Sequence, residues 1–379
     1  MASVSIGVVG GGLISQTAHL GFLSHLRDRY TIAGIAEPSE RVRTELARRY
    51  GIPAAHADHR QLIEACELDA LLVCTPHATH MEVVGDALEA GLHVLVEKPL
   101  CITLADADRI VQLAERAKRI VQVAYTKRFD VAYEQMCQSM SDSLEGLRYI
   151  DVLTYEPELS QYFAPADMVR GEDLPDAFRV AARSEEAEQA AAAVGARTSR
   201  EAFMFSEVYL GSLVHDVNLV HGLLAQMNEP LPKTIEHSAW WDGPCATATL
   251  RLSNGARWGL TWIETTKLHD FSERISLFFE DAVHTITFPP PYMTHASAVY
   301  EHNVGGPQRR ERRLIGSYQE RFVRQFVHFH DCVTAGAQCM TPPEQARADI
   351  ALLTAMFLAA PREGDASALA TQAGPGQDG

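Results

Sequence analysis

The sequence predicts two domains: an N-terminal α/β domain on a doubly wound parallel sheet, then an α+β domain with a predominantly antiparallel open sheet. Three observations carry this expectation. Over residues 1–125 short apolar runs alternate with helical patterns, the βαβ rhythm of a parallel sheet covered on both faces. Beyond them the apolar runs lengthen and are joined by tight turns, as antiparallel strands are. At 379 residues the chain also exceeds what one hydrophobic core ordinarily organises. The expected division is 1–125 and 126–363, with a last helix at about 344–360 and a disordered tail over 364–379.

In chain order, VSIGVV, TIAGIAE, ALLVCTP, GLHVLVE and IVQVAY read as strands with helices between them. In the second part LRYIDVLTYEPE, TATLRLSNGARWGLTWIET, RISLFFED and VHTITFP read as longer strands. Asn254-Gly255 marks a hairpin, because both residues tolerate the positive φ of a type I′ turn. Residues 157–198, rich in Ala and Glu with Pro157, Pro165 and Pro175 near the front, read as a surface excursion holding one short helix, AARSEEAEQAAAAVG. A helical stretch from about Ser199 to Leu224 follows the first strand of the second sheet. RADIALLTAMFLAA is the last helix, and the polar GDASALATQAGPGQDG after it has no means of building a core. Trp240 and Trp241 fall on opposite faces of a strand, one for the core and one for a surface or interface. Pro289-Pro290-Pro291-Tyr292 reads as a stiff connector, with a place on the cleft wall as the alternative.

Composition narrows the function. Asp and Glu number 49 against 33 Lys and Arg, which argues against a nucleic-acid partner, since that needs a concentrated basic face. The seven cysteines are scattered and never form a CxxC pair, so free thiols are expected, buried at Cys74 and Cys101. His328 and His330 are two apart in a predicted helix, point in different directions, and make no metal pair; no metal is expected. There is no basic n-region and no apolar run long enough for a bilayer, so a cytoplasmic protein with no membrane partner is expected.

The first strand runs into Gly10-Gly11-Gly12 and then a helix, the context a dinucleotide fingerprint requires. Gly10 permits the tight turn and Gly12 the approach of a pyrophosphate to the helix N-terminus. Ser15 replaces the third glycine and is small enough for close helix–strand packing. Glu37, at the end of the second strand, is placed to accept hydrogen bonds from a ribose diol and to repel a 2′-phosphate, so NAD is the expected cofactor. Thr75-Pro76, closing ALLVCTP, would border the nicotinamide half. Glu97-Lys98-Pro99, closing GLHVLVE, puts a lysine at the carboxyl end of a parallel strand, over the crevice where such sheets bind ligands.

Together VVGGGLISQTAHL, AEPSERVRTELARRYG, VCTPHATHMEVVGDALEAGLHVLVEKPLCIT and VAYTKRF resemble the N-terminal domain of the Gfo/Idh/MocA oxidoreductases, NAD(P)-dependent enzymes of sugars, cyclitols and related polyols. TPPEQARADIALLTAMFLAA is similar to that family's closing helix. The resemblance implies a Rossmann domain in which Gly10, Gly12, Leu13, Ile14, Glu37, Thr75, Pro76, His80, Glu97 and Lys98 serve the cofactor. It also implies that Lys98 sits beside the substrate's reacting oxygen, with Arg128, His215 and Asn218 on the substrate. The family's DxxxHxxD helix corresponds to Gly211-Ser212-Leu213-Val214-His215-Asp216-Val217-Asn218: the histidine is kept, while the two aspartates are Gly211 and Asn218. His215 thus lacks its usual orienting carboxylate, with Tyr209 and Asp216 as nearby but weak substitutes.

Helical spacing supports the same segment independently. Positions 211, 215, 218 and 222 share one face and hold Gly, His, Asn and Gly, while Leu213, Val217, Val220 and Leu224 form an adjoining core stripe. A helix presenting His215 and Asn218 to a ligand fits this pattern; a core histidine is the alternative.

The expected activity is interconversion of a secondary alcohol and a ketone on a sugar, glycoside or cyclitol, with Lys98 and His215 catalytic. Two other readings stand beside it: a lyase or glycosidase that oxidises its substrate transiently with recycled NAD, and a catalytically weakened NAD-binding regulator. Trp258, Leu260, Trp262 and Ile263 make their strand too apolar for both sheet faces to meet water, so a homodimer or homotetramer through the open face is expected.

Overall fold

The protein is described by a computed structural model covering residues 2–362 apart from 165, 242–243, 294–295, 308–309 and 318. The tail expected over 364–379 lies outside the described residues.

The N-terminal sheet is parallel and has strand order β3-β2-β1-β4-β5-β6. Its strands are β1 (Val4–Val9), β2 (Tyr30–Ala36), β3 (Ala54–His56), β4 (Ala70–Val73), β5 (His93–Val96) and β6 (Val121–Val123). The sequence reading missed β3, whose three residues are too few to show a period. Between the strands run α1 (a π-wound Ser15–His19 continuing as Leu20–His25), α2 (Glu40–Tyr50), α3 (His59–Ala65), α4 (His80–Glu89) and α5 (Leu104–Ala117). Ser39 and Thr103 start α2 and α5 by accepting the backbone N–H of Val42 and Asp106. Strand order reverses between β1 and β4, which opens a crevice at their carboxyl ends, and both the glycine turn and Cys74-Thr75 lie there.

After α6 (Val131–Ser139) the chain builds an eight-stranded sheet in the order β14-β13-β12-β11-β7-β10-β9-β8. The strands are β7 (Leu147–Glu156), β8 (Thr234–Trp241), β9 (Cys245–Arg251), β10 (Arg257–Glu264), β11 (Ser272–Phe279), β12 (Ala282–Phe288), β13 (Val299–Val304) and β14 (Arg310–Ile315). Every pairing is antiparallel except β7 with β10. The excursion after β7 holds two helices, α7 (Ser160–Phe163) and α8 (Asp176–Val194), the second longer than the segment expected. Then come α9 (Ser199–Phe203), a π-wound segment Met204–Leu213 continuing into α10 (Val214–Gln226), and finally α11 (Arg321–Ala335) and α12 (Pro343–Ala359).

The helices α10 and α12 cover one face of the large sheet. Leu213, Val217, Val220 and Leu224 are fully buried there, as the apolar stripe requires. Trp258, Leu260 and Trp262 point to the same covered face and are buried within the monomer. The strand is therefore not apolar on both faces, contrary to expectation. These three residues are two apart, so they share one face, and only Ile263 belongs to the other. That outer face also carries Tyr149, Phe278 and Arg274, a mixed surface. Trp240 stacks on Phe357 with ring centroids 5.4 Å apart. None of the described helices is long and apolar enough to cross a membrane.

Candidate active site

A cavity of about 590 Å³ lies between the carboxyl edge of the parallel sheet and the covered face of the second sheet. Leu13, Ile14, Thr75, Glu97, Lys98 and His215 line it, so the structure gathers six of the expected residues from segments as far as 202 positions apart (215 − 13).

On the cofactor side the geometry is set by backbone. Gly10 has φ +96°, and a β-carbon there would lie 2.5 Å from the Cys74 carbonyl oxygen, so only glycine makes this turn beside β4. At Gly12 a β-carbon would meet nothing within 4 Å, leaving open space in front of the helix N-terminus. The Glu37 carboxylate accepts N–H bonds from Gly11 (2.8 Å) and Ser39 (3.0 Å), which holds it at the mouth of the glycine turn. Thr75 and Arg321 contribute to the wall on this side, with Thr75 Oγ1 and Arg321 Nε enclosed in it. The residues present therefore fit a dinucleotide lying from Glu37 across the glycine turn toward Thr75 and Lys98.

Around the lysine, charges are closely managed. The Glu97 carboxylate is bonded to His19 Nε2 (2.6 Å) and to the Lys98 backbone N–H (3.1 Å). Burial pushes its pKa up, but the His19 hydrogen bond and the His19 and Lys98 charges outweigh that and hold it below the ordinary range. Lys98 Nζ donates to the carbonyl oxygen of Gly211 at 2.6 Å. Burial lowers its pKa, Lys127 pushes the same way, and Glu97, Glu156 and Glu207 oppose them. The carbonyl that meets Lys98 belongs to the position where the resembled family carries aspartate. It lies in the π-wound segment, a distortion that often accompanies functional sites. His215 makes no hydrogen bond to any described residue, and burial, then Lys127 and Lys98, hold its pKa well below the usual histidine range. It is a neutral imidazole free to meet a ligand.

Four expected residues lie elsewhere, three of them held there by packing. Asn218 is buried away from the cavity; its Nδ2 donates to Asp349 at 2.7 Å. Arg128 donates to the Asn218 carbonyl oxygen (3.2 Å) and lies against Gly222, where a β-carbon would be 2.2 Å from its Cζ. The stripe at 211, 215, 218 and 222 thus divides: its first half faces the cavity and its second half faces Arg128. His80 is fully buried behind the wall, with one ring nitrogen 3.0 Å from the Thr75 carbonyl oxygen and the other 2.9 Å from that of Pro99. It braces the two turns rather than meeting a ligand. Pro76, at the start of the turn leading to α4, is not on the cavity wall either. Neither suggested substitute for the missing aspartate reaches His215 by a hydrogen bond. Asp216 accepts from Thr154 Oγ1 (3.0 Å), and Tyr209 packs edge-on against Phe357.

The sequence reading missed Lys127, Glu156, Glu207, Ser212, Trp262 and Arg321, all on the wall. Ser212 donates to Glu156 and accepts from Trp262 Nε1 at 2.9 Å; Lys127 is paired with the buried Glu273. Burial raises the pKa of Glu156, and burial together with Glu186 raises that of Glu207. Two signals were available: Glu207 stands one turn before Gly211 on the same face, and Glu156 closes the first strand of the second sheet. Tyr292 and Pro291 also line the cavity, so the proline loop forms part of its wall. Apart from this site, His328 gathers with Cys332 and Cys339, their ligand atoms within 4.8 Å of one another. There the His328 Nε2 lone pair is taken by the Met340 backbone N–H at 3.0 Å.

Comparison with known proteins agrees with this fold. Residues 4–125 match an oxidoreductase family with an NAD-binding Rossmann fold. Myo-inositol 2-dehydrogenase of Thermotoga maritima is 33% identical over 147 residues, 38% of this chain and 43% of that protein. Inositol 2-dehydrogenase/D-chiro-inositol 3-dehydrogenase of Shouchella clausii is 36% identical over 147 residues, 38% of this chain and 42% of that protein. The chain thus spans less than half the length of these curated relatives. Among solved structures, UDP-N-acetylglucosamine 3-dehydrogenase of Acidithiobacillus ferrooxidans superposes with a TM-score of 0.68 at 17% identity, over 95% of this chain and 98% of that one. Biliverdin reductase of Synechocystis, solved with biliverdin and NADP+, gives 0.66 at 18% identity, over 94% and 99%. These two share the fold across both domains while acting on unrelated molecules, so the fold alone does not name a substrate.

Proposed function

With residues 4–125 belonging to the NAD-binding domain of the Gfo/Idh/MocA oxidoreductases, we propose that this chain interconverts a secondary alcohol and a ketone on a sugar, glycoside or cyclitol. The observation that carries the reading is Lys98. Its amine is half-buried at the junction of the two walls, with its pKa lowered and its proton directed at the Gly211 carbonyl oxygen.

The bound nicotinamide supplies the hydride acceptor or donor. The chain's own residues manage the proton. Burial favours the neutral amine of Lys98, which can take the proton of a substrate hydroxyl as the carbonyl forms and return it in the reverse direction. The Gly211 carbonyl orients the amine without adding a charge, so Lys98 keeps a lower pKa than an aspartate at that position would allow. His215, held neutral, offers a second hydrogen bond to the same hydroxyl. The wall combines Trp262 and Tyr292 with Glu156, Glu207 and Lys127, apolar faces beside hydroxyl-binding groups, as a polyol ring requires. The names of the curated relatives point to the same substrate class.

A second reading is favoured by one observation. Glu156 and Glu207 have raised pKa values on the cavity wall, so either could protonate a leaving group in a lyase or glycosidase that reuses its NAD. A catalytically silent regulator accounts less well for a half-buried lysine on the cavity wall with a lowered pKa. A homodimer or homotetramer through the outer sheet face belongs to the same proposal, and light scattering on dilute protein decides it; a 41.7 kDa particle would exclude it.

The test is a panel of inositols, sugars and glycosides incubated with NAD and the purified protein. NADH formed in step with a keto product supports the dehydrogenase; bond cleavage without net NADH supports the second reading. Neither signal with any of these substrates would sink both.

A further inference from the structure

The excursion after β7 does not stay with its own sheet. Residues 167–173 cross to the parallel sheet and settle on the two turns that frame the adenosine half of the cofactor site. Val169 exchanges two hydrogen bonds with the Gln16 amide (2.9 and 3.0 Å), and Gln16 Nε2 also donates to the Gly11 carbonyl oxygen at 2.6 Å. Arg49 of α2 donates to the Asp167 carbonyl oxygen (2.8 Å) and pairs with its carboxylate (3.0 Å). At the start of α2 the buried Ser39 hydroxyl donates to Asp173 Oδ1 at 2.5 Å, and the Arg41 backbone N–H donates to Asp173 Oδ2 at 3.2 Å. The Arg41 guanidinium is paired with Glu172 at 2.6 Å.

The groups taken up this way have a shared chemistry. A hydroxyl, a helix N-terminal N–H and an arginine, clustered just after the acidic residue that closes β2, are the donors that would hold a 2′-phosphate on an adenosine ribose. Here each is satisfied by a carboxylate from the second domain. With Glu37 already at the glycine turn, a 2′-phosphate would meet three carboxylates, each already engaging a donor there.

We propose that residues 167–173 form a latch over the adenosine half of the cofactor, in which Asp173 and Glu172 select NAD by occupying the donors a 2′-phosphate needs. Glu37 alone would disfavour the phosphate by repulsion; the latch also removes its ligands. Because it bridges Gln16 and Ser39, the latch must open for a nucleotide to leave, so it also slows exchange. This rests on the reading of the site as a dinucleotide site.

The test uses the full chain with NADH and NADPH as probes, following nucleotide fluorescence for Kd and stopped-flow displacement for the release rate. In the double variant Glu172→Gln with Asp173→Asn, the ratio Kd(NADPH)/Kd(NADH) should fall by about tenfold or more, as expected when repulsive charges leave a binding site. The NADH release rate should rise in the same variant. Arg49→Ala, which frees Asp167 without touching the donors, should speed release of both nucleotides while leaving their Kd ratio in place. A ratio within about threefold of wild type in the double variant, with NADH still binding, would overturn the selectivity role. Unchanged release rates in both variants would overturn the latch. Wild-type protein that binds neither nucleotide would instead overturn the cofactor reading beneath it, a failure that these signals separate from the others.

Discussion

The two walls of the cavity are made of different material. The cofactor wall is shaped by main-chain turns: the glycine turn after β1 leads into Leu13 and Ile14, the end of β4 carries Cys74 and Thr75, and the exit of β5 carries Glu97 and Lys98, all within the first hundred residues. The opposite wall is side chains, Lys127, Glu156, Glu207, His215, Trp262 and Tyr292, delivered by separate segments of the second domain. A main-chain wall is specified by what the backbone can do, so few residue types fit and a short motif records them. A side-chain wall is specified by which residues happen to converge, and no local pattern records that.

Lys98 stands where the walls meet, and its loss should have the largest effect. Lys98→Ala should lower kcat by ~10²–10⁴-fold, the usual worth of a positioned proton-transfer group. NADH affinity, measured by fluorescence titration, should change little. In the wild type, oxidation should climb with pH as the amine loses its proton. Because burial lowers the Lys98 pKa, this limb should lie below the ordinary lysine range, and it should vanish in the variant. Near-normal turnover in Lys98→Ala would reduce the residue to a strand-exit charge.

The difference between the walls predicts unequal tolerance to a single methyl group. Gly10→Ala places a β-carbon 2.5 Å from a backbone oxygen at φ +96°, and backbone cannot step aside. We expect a loss of about 2–4 kcal/mol, combining backbone strain and overpacking. Gly222→Ala also creates a clash, 2.2 Å from Arg128 Cζ, but against a side chain and with a gain in helix propensity. The net cost there should be smaller, about 1–2 kcal/mol. Urea denaturation of both variants compares them; equal losses, or a stabilised Gly222→Ala, would break the contrast.

Acid should loosen the main-chain wall. His80 has one ring nitrogen at each of the Thr75 and Pro99 carbonyl oxygens, and as a neutral ring donates to only one of them; burial pushes its pKa from an ordinary 6.5 to about 4. Unfolded chain takes up this proton near 6.5 and folded chain does not, so the stabilisation is complete above pH 6.5 and is lost as pH falls toward 4. At about 1.4 kcal/mol per pH unit the loss is on the order of a few kcal/mol. His80→Gln should flatten that part of the pH–stability curve; a slope unchanged in this variant would place the acid sensitivity elsewhere.

The sequence by itself determined the parallel sheet, the glycine turn, the acid at the end of β2, and the exit of β5 carrying Lys98. Each depends on contacts within one βαβ unit, where alternation, strand length and glycine placement are local quantities. It also determined that the face of α10 carrying Val217, Val220 and Leu224 is core, since helical period alone sorts apolar from polar. Only the tertiary structure decided which polar residues on that helix meet the cavity. The π-wound turn before α10 and the insertion of Arg128 against Gly222 turn Asn218 away while leaving His215 in place, and neither leaves a periodic trace. Lys127, Ser212 and Arg321 were hidden for the same reason: each became part of one site only when segments far apart in the chain were packed together. The excursion was legible as an excursion, but its landing place on Gln16 and Ser39 depends on charge and hydrogen-bond complementarity between two domains. That matching exists only in the folded chain.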